Sequence, residues 1–259
     1  MLNRIIAKKQ EEVRRNKLQL PPAELLKQVL PGTMAFSQGL AARSWSLIAE
    51  CKLASPVKGK LSECIVGDLA RIYDAEGATA LSVLTDNHFS GSCRHIAEAK
   101  QVSGLPVLRK DFIIDEYQLY QARVIGADAV LLIAAILTDK QLQQYLTTAR
   151  QIGLDCLVEV HSREELARVQ QTPAAVIGIN NRDLTTFTTS VETTFALLPY
   201  CAADRLLISE SGIHSQQTAM DLQQAGIRGV LVGEGLVTAP DIAAKVRELS
   251  LIDRQYSVD

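Results

Sequence analysis

A glycine, two or three further residues and then an apolar run make a pattern that recurs along the chain. It appears as Gly77-ATALSVL, Gly126-ADAVLLI, Gly153-LDCLVEV and Gly226-IRGVLVG. Each glycine closes a stretch of helical periodicity. Each run has the continuous apolar character of a strand buried on both faces, as in parallel sheets. Extending the pattern predicts eight strands, near residues 46–52, 79–84, 106–109, 128–133, 155–160, 175–180, 205–210 and 229–232. Helical patterns fall between them, at about 65–76, 92–102, 115–125, 138–152, 162–171, 190–198, 215–225 and 239–249. Two of these starts have capping-box spacing, Thr138-x-x-Gln141 and Ser162-x-x-Glu165. Such alternation predicts the α/β class and a single (β/α)8 barrel over residues 46–259. A doubly wound sheet is the runner-up, but the first strand is not followed by GxGxxG.

Residues 1–45 read as a two-helix extension of the same domain. Leu2, Ile5, Ile6 and Val13 fall on one helical face, with Lys and Glu on the other. Pro21-Pro22 opens a second short helix over Ala23–Leu30, closed by Pro31-Gly32.

Composition narrows the function classes. With 47% hydrophobic residues, 22% charged and a net charge of −2, the chain has an ordinary soluble composition and no basic block for nucleic acid. The longest apolar run, 129–137, is too short to span a bilayer, and MLNRIIAKKQEEV lacks the features of an export signal. Cysteines 51, 64, 93, 156 and 201 form no CxxC pair, which favours reduced thiols and a cytoplasmic location. The four histidines show no zinc spacing, so neither metal nor cofactor is expected.

The chemistry collects where the strands end, which is where barrels and open α/β sheets bind ligands. Strand three leads into Lys110-Asp111-Phe112, with Asp115 and Glu116 opening the next helix. Residues i and i+2 share a strand face, so Glu50 and Lys52 point together and Cys51 points away. Glu159, Asn180 and Glu210 occupy matching positions on strands five, six and seven. Charged groups are rarely buried unpartnered. One such residue could be a structural ion pair, but six at one end of a barrel form a reaction centre. Ser211-Gly212 and Gly233-Glu234-Gly235 follow strands seven and eight, where barrels commonly hold phosphate on backbone N–H groups.

Seven segments in order, IAECKLASPVKG (48–59), LSVLTDNHFSGS (81–92), LRKDFIID (108–115), LVEVHSREEL (157–166), GINNRDL (178–184), ISESGI (208–213) and VLVGEGLV (230–237), resemble indole-3-glycerol phosphate synthase. The resemblance spans nearly the whole chain, extension included. It implies ring closure, decarboxylation and dehydration of 1-(2-carboxyphenylamino)-1-deoxyribulose 5-phosphate in tryptophan biosynthesis. It makes Lys110 the general acid, and leaves Glu159 and the Glu50/Lys52 pair as candidates for the proton transfers of dehydration. Asn180 and Glu210 would orient substrate hydroxyls and Lys110. Arg182 would face the anthranilate carboxylate, and Phe89, Phe112 and Leu184 would wall the aromatic ring. Ser211, Gly212, Gly233 and Glu234 would hold phosphate, bordered by Ser55. The expected partners are this phosphorylated small molecule and other tryptophan-pathway enzymes, with no nucleic acid or membrane. Two other readings stay open: a barrel aldolase using Lys110 as a Schiff-base nucleophile, and a non-catalytic barrel that binds a partner.

Overall fold

The computed structural model describes residues 2–55, 59–61, 64–183, 186 and 188–252, with Ser55 described by its backbone alone. Eight parallel strands close into a barrel: β1 Ser46–Cys51, β2 Ala80–Leu84, β3 Val107–Lys110, β4 Ala129–Ile133, β5 Asp155–Val160, β6 Val176–Asn180, β7 Leu206–Glu210 and β8 Gly229–Val232. The ring closes where β1 pairs with β8 as well as with β2, Ser46 opposite Gly229 and Ile48 opposite Ala80. The four repeat glycines Gly77, Gly126, Gly153 and Gly226 all have positive φ, between 66° and 101°. That left-handed turn between helix and strand is why the repeat begins with glycine.

Strand alternation sorts side chains into two layers. Ile48, Leu108, Leu131, Leu157, Ile208 and Leu231 fill the barrel interior. Their outward neighbours, among them Leu47, Val130, Val158 and Val230, pack against the surrounding helices. Those helices are α4 Val66–Ala75, α5 Arg94–Val102, α6 Tyr117–Val124, α7 Asp139–Gln151, α8 Arg163–Gln170, α9 Glu192–Leu197, α10 Gln216–Gln224 and, after β8, α11 Glu234–Val237 and α12 Ile242–Leu249. Thr138 and Gln141 form the full reciprocal capping box. At the second expected box, Ser162 caps Glu165 N–H, but the Glu165 carboxylate reaches past the cap residue to accept from His161 N–H at 2.8 Å. A two-stranded ribbon, Ala54–Ser55 against Gly59–Lys60, stands above β1.

The extension has three helices, α1 Leu2–Gln19, α2 Pro22–Leu26 and α3 Ala35–Ala41. The third, with one glycine and no polar stripe in a seven-residue span, gives too little periodicity to be read from the chain. It seals the floor of the barrel: Phe36 and Leu40 are wholly buried among the inward residues of the strands. Asp155, the first residue of β5, accepts from Ser37 N–H at 2.9 Å and fixes that plug in place.

The first helix goes to the other end. Buried Lys9 Nζ lies 2.8 Å from both Asp86, after β2, and Asp111, after β3. Asp111 also accepts from the buried Arg109 guanidinium at 2.9 Å and from Thr85 at 2.7 Å. Burial alone would raise the Asp111 pKa; the Arg109 and Lys9 charges outweigh it and hold the carboxyl below its usual range. Arg109 in turn donates to Gln118 O and Gln121 Oε1 of α6. One charge chain therefore clamps α1 to the loop that follows Lys110.

Among the described residues no helix is long and apolar enough to cross a membrane.

Phe36→Ala should lower unfolding stability by about 3–5 kcal/mol, the cost of emptying a buried aromatic site. The floor is remote from the polar strand ends, so turnover of the folded fraction should stay within about threefold of wild type. Urea titration and steady-state kinetics on the same preparation check both halves.

Candidate active site

Inward alternation on β1, β3, β5, β6 and β7 ends in polar residues, and these meet in one cavity of about 430 Å³ at the carboxyl end of the barrel. Its wall includes Glu50, Lys52, Lys110, Glu159, Asn180 and Glu210. Arg182, Phe89, Phe112, Ser211, Gly212, Gly233 and Glu234 line it as well. Leu184 lies outside the described residues, as does the side chain of Ser55, which stands on the two-stranded ribbon. Cys51 packs in the outer layer, on the face opposite Glu50.

Lys110 is the centre. Its Nζ donates to Glu159 Oε2 at 2.9 Å and to Glu210 Oε2 at 3.1 Å. An ammonium has three N–H donors, so one remains for the cavity. Burial alone would strip its proton; the charges of Glu159, Glu210 and Glu50 outweigh burial and raise its pKa well above the ordinary lysine value.

The two carboxylates differ in spite of the shared lysine. Burial would raise the Glu159 pKa, but the Lys110 charge and the nearby His161 hold it well below the usual range. Glu210 is pushed up to about 7, by burial first and then, against the pull of Lys110, by repulsion from Glu159 and Glu50. Its Oε1 is buried without a hydrogen-bond partner and lies against Gly178, where a Cβ would overlap it. Glu50 is housed the same way: a Cβ on Gly233 would overlap its Oε1, while its Oε2 accepts from Ser82. These two inward glycines are the space in which the carboxylates sit.

Lys52 faces the cavity with no carboxylate partner among the described residues. Asn180 Oδ1 accepts from Arg182 N–H at 3.0 Å, which turns the chain after β6. Arg182 Nε donates to Thr189 Oγ1 at 3.3 Å. Ser211 holds the left-handed region, φ 68°, followed by Gly212 at 79°. A non-glycine residue there needs outside support. Buried Asn181 supplies it, donating to Ser211 O at 2.9 Å and to Ser209 Oγ at 3.0 Å while accepting from Thr194. Gly233 begins α11, so the N–H groups of its first turn have no helical acceptor. Among the described residues no group of three His, Cys, Asp or Glu converges as a metal site would require.

Several lining residues did not stand out in the sequence. Leu2 and Ile5 come from α1, and Leu131, Ile133 and Leu231 are inward strand residues that complete an apolar side. Asp86 and Asp111 also reach the cavity, tied up by Lys9. His214 lines it beside Gly235. Inward alternation was the available signal for the strand residues; α1 and the aspartates depend on contacts across the fold.

A family model described as indole-3-glycerol phosphate synthase matches residues 2–249. Curated relatives carry the same name. One from Desulforamulus reducens is 50% identical over 257 residues, covering 96% of each chain. One from Roseiflexus sp. is 46% identical over 264 residues, covering 96% of this chain and 97% of its own. Among solved structures, 3-hexulose-6-phosphate synthase from Salmonella typhimurium superposes with a TM-score of 0.61 at 16% identity, over 80% of this chain and 97% of that one. A tryptophan synthase complex from Pyrococcus furiosus gives 0.59 at 15% identity, over 80% and 98%. These likenesses are of fold alone. With the motifs in order, the polar strand ends gathered around one lysine and the family model matched from end to end, the chain belongs to the indole-3-glycerol phosphate synthase family.

Proposed function

We propose that this chain converts 1-(2-carboxyphenylamino)-1-deoxyribulose 5-phosphate to indole-3-glycerol phosphate, with loss of CO2 and water. The observation that carries the reading is the protonated Lys110 held between two carboxylates, with one N–H left for the cavity. Ring closure joins the aromatic carbon bearing the carboxylate to the ketone carbon, and the ketone oxygen must gain a proton as it becomes a hydroxyl. Lys110 supplies it. Departure of CO2 restores the aromatic ring. The hydroxyl then leaves as water, which needs a proton on that oxygen and a base for the proton released from the new ring.

Glu159 and the Glu50/Lys52 pair line the same cavity and are the candidates for that exchange. Glu210 and Asn180 orient Lys110 and the substrate hydroxyls. Arg182 faces the anthranilate carboxylate, for which a guanidinium is a two-pronged donor. Phe89 and Phe112 flank the ring, with Leu184 assigned to the same wall and Ser55 to the border of the phosphate site from the motifs they stand in. Ser211, Gly212, Gly233 and Glu234 present backbone N–H groups to the phosphate, which favours a helix start and small residues. Residues 1–45 act as part of one domain with the barrel, through α1 at the mouth and α3 at the floor. A cytoplasmic location beside other enzymes of tryptophan biosynthesis accords with the reaction.

The direct test is indole fluorescence appearing when purified protein meets the carboxyphenylamino-deoxyribulose phosphate. No signal with authentic substrate and folded protein would end the reading.

Lys110→Ala should lower kcat by about 10²–10⁴-fold, as loss of a general acid does, with substrate affinity little changed. A Schiff-base lysine must be neutral, whereas three nearby carboxylates keep this one charged. Borohydride with substrate should therefore trap no adduct on Lys110. A mass-spectrometric adduct that depends on both reagents would move the protein to aldolase-like chemistry.

Glu234 should bind phosphate through its backbone, because a carboxylate aimed at the anion would repel it. Glu234→Ser should leave KM unchanged or slightly lower. A tenfold loss of affinity, about 1.4 kcal/mol, would assign binding to the side chain.

A further inference from the structure

Glu159 and Glu210 share one ammonium through one oxygen each, at 2.9 and 3.1 Å, and both are almost wholly buried. What separates them is the second oxygen. Glu210 Oε1 meets only the space over Gly178 and has no partner. Glu159 Oε1 faces His161 Nε2 at 3.3 Å, two residues further along the chain. That nitrogen is buried and, apart from this contact, meets no polar partner among the described residues. On its other side His161 is gripped by Glu165, which accepts from its backbone N–H at 2.8 Å and lies 3.3 Å from Nδ1. This is the carboxylate that left its capping box at the start of α8.

We propose that His161 is a positioning residue that gives the two carboxylates on Lys110 different work, fixing Glu159 as the standing anion and leaving Glu210 as the group that exchanges a proton with Lys110 during turnover. The assignment rests on the proposed reaction for its purpose, but its physical content does not depend on it. The charged groups that share the cavity with Glu159 are Lys110 from β3, Glu210 from β7 and Glu50 and Lys52 from the end of β1, with His161 and Glu165 behind it. Of these only His161 adds a positive charge that Glu210 does not share. Burial would discharge the imidazole, but Glu159 and Glu165 outweigh it and lift its pKa to about 10, so it is a cation at neutral pH. Without that cation Glu159 and Glu210 would compete for the proton on nearly equal terms, as coupled carboxyl pairs do.

The test is a titration of both carboxyl groups by ¹³C NMR on glutamate-labelled protein, with resonances assigned through Glu159→Gln and Glu210→Gln. In His161→Gln the Glu159 midpoint should rise by one unit or more, and the Glu210 midpoint should fall from its value near 7. The acid limb of the kcat–pH profile should move in step. Glu165→Gln keeps an oxygen for the His161 N–H but removes the charge behind the ring, so it should shift both midpoints the same way by less. It decides the matter if His161→Gln does not fold. Midpoints within ~0.3 unit of wild type would overturn the proposal even if turnover fell, because His161 would then be merely structural. Shifted midpoints in a protein that never turned substrate over would uphold it and reject the reaction instead.

Discussion

One partly buried ammonium governs this barrel. A lysine inside a protein tends to lose its proton, and a carboxylate tends to gain one, unless each neutralises the other. Lys110 and Glu159 satisfy that condition, while Glu210 makes one carboxylate more than the cation can fully hold. The imbalance sets three different groups side by side: an ammonium held charged, a carboxyl held below its usual range and a second carboxyl pushed up to about 7. Glycine makes the arrangement possible, since side chains at 178 or 233 would occupy the volumes of the Glu210 and Glu50 carboxylates.

The surrounding structure holds that centre from both ends. At the floor, Phe36 and Leu40 pack wholly buried among the inward residues of the strands. At the mouth, the chain of charge from Lys9 through Asp111 to Arg109 ties the extension to the loop after β3. Gln118 secures that loop further, accepting from Ile114 and Asp115 and donating to Phe112 O. Removing Lys9 would leave buried aspartates short of a counter-charge one residue from Lys110, so the extension bears on the reaction through electrostatics as well as cover.

The loop after β7 depends on a polar network outside the barrel wall. Asn181 and Ser209 point outward, away from the cavity, and hydrogen-bond each other and Thr194 of α9. Through Asn181 they hold Ser211 in a backbone conformation that it would otherwise avoid. Inward and outward residues at the ends of these two strands thus differ in what they meet, one set facing the cavity and the other fixing the loop.

Much of this was legible in the chain because it is local. The repeat glycines predict left-handed helix ends, apolar runs predict parallel strands, and period-two alternation puts Glu50, Lys52, Lys110, Glu159, Asn180 and Glu210 on the inner face. The α3 plug was not legible, since seven residues give no clear period and their burial depends on strands far along the chain. Nor were the partners of Lys9, Asp86 and Arg109, because an ion pair is defined by distance in space and carries no spacing in sequence. The difference between Glu159 and Glu210 is the clearest case. Both are inward-facing glutamates at the carboxyl ends of their strands. Only the fold decides that one faces a histidine and the other an empty glycine, and in a site this buried that difference sets which carboxylate keeps its charge.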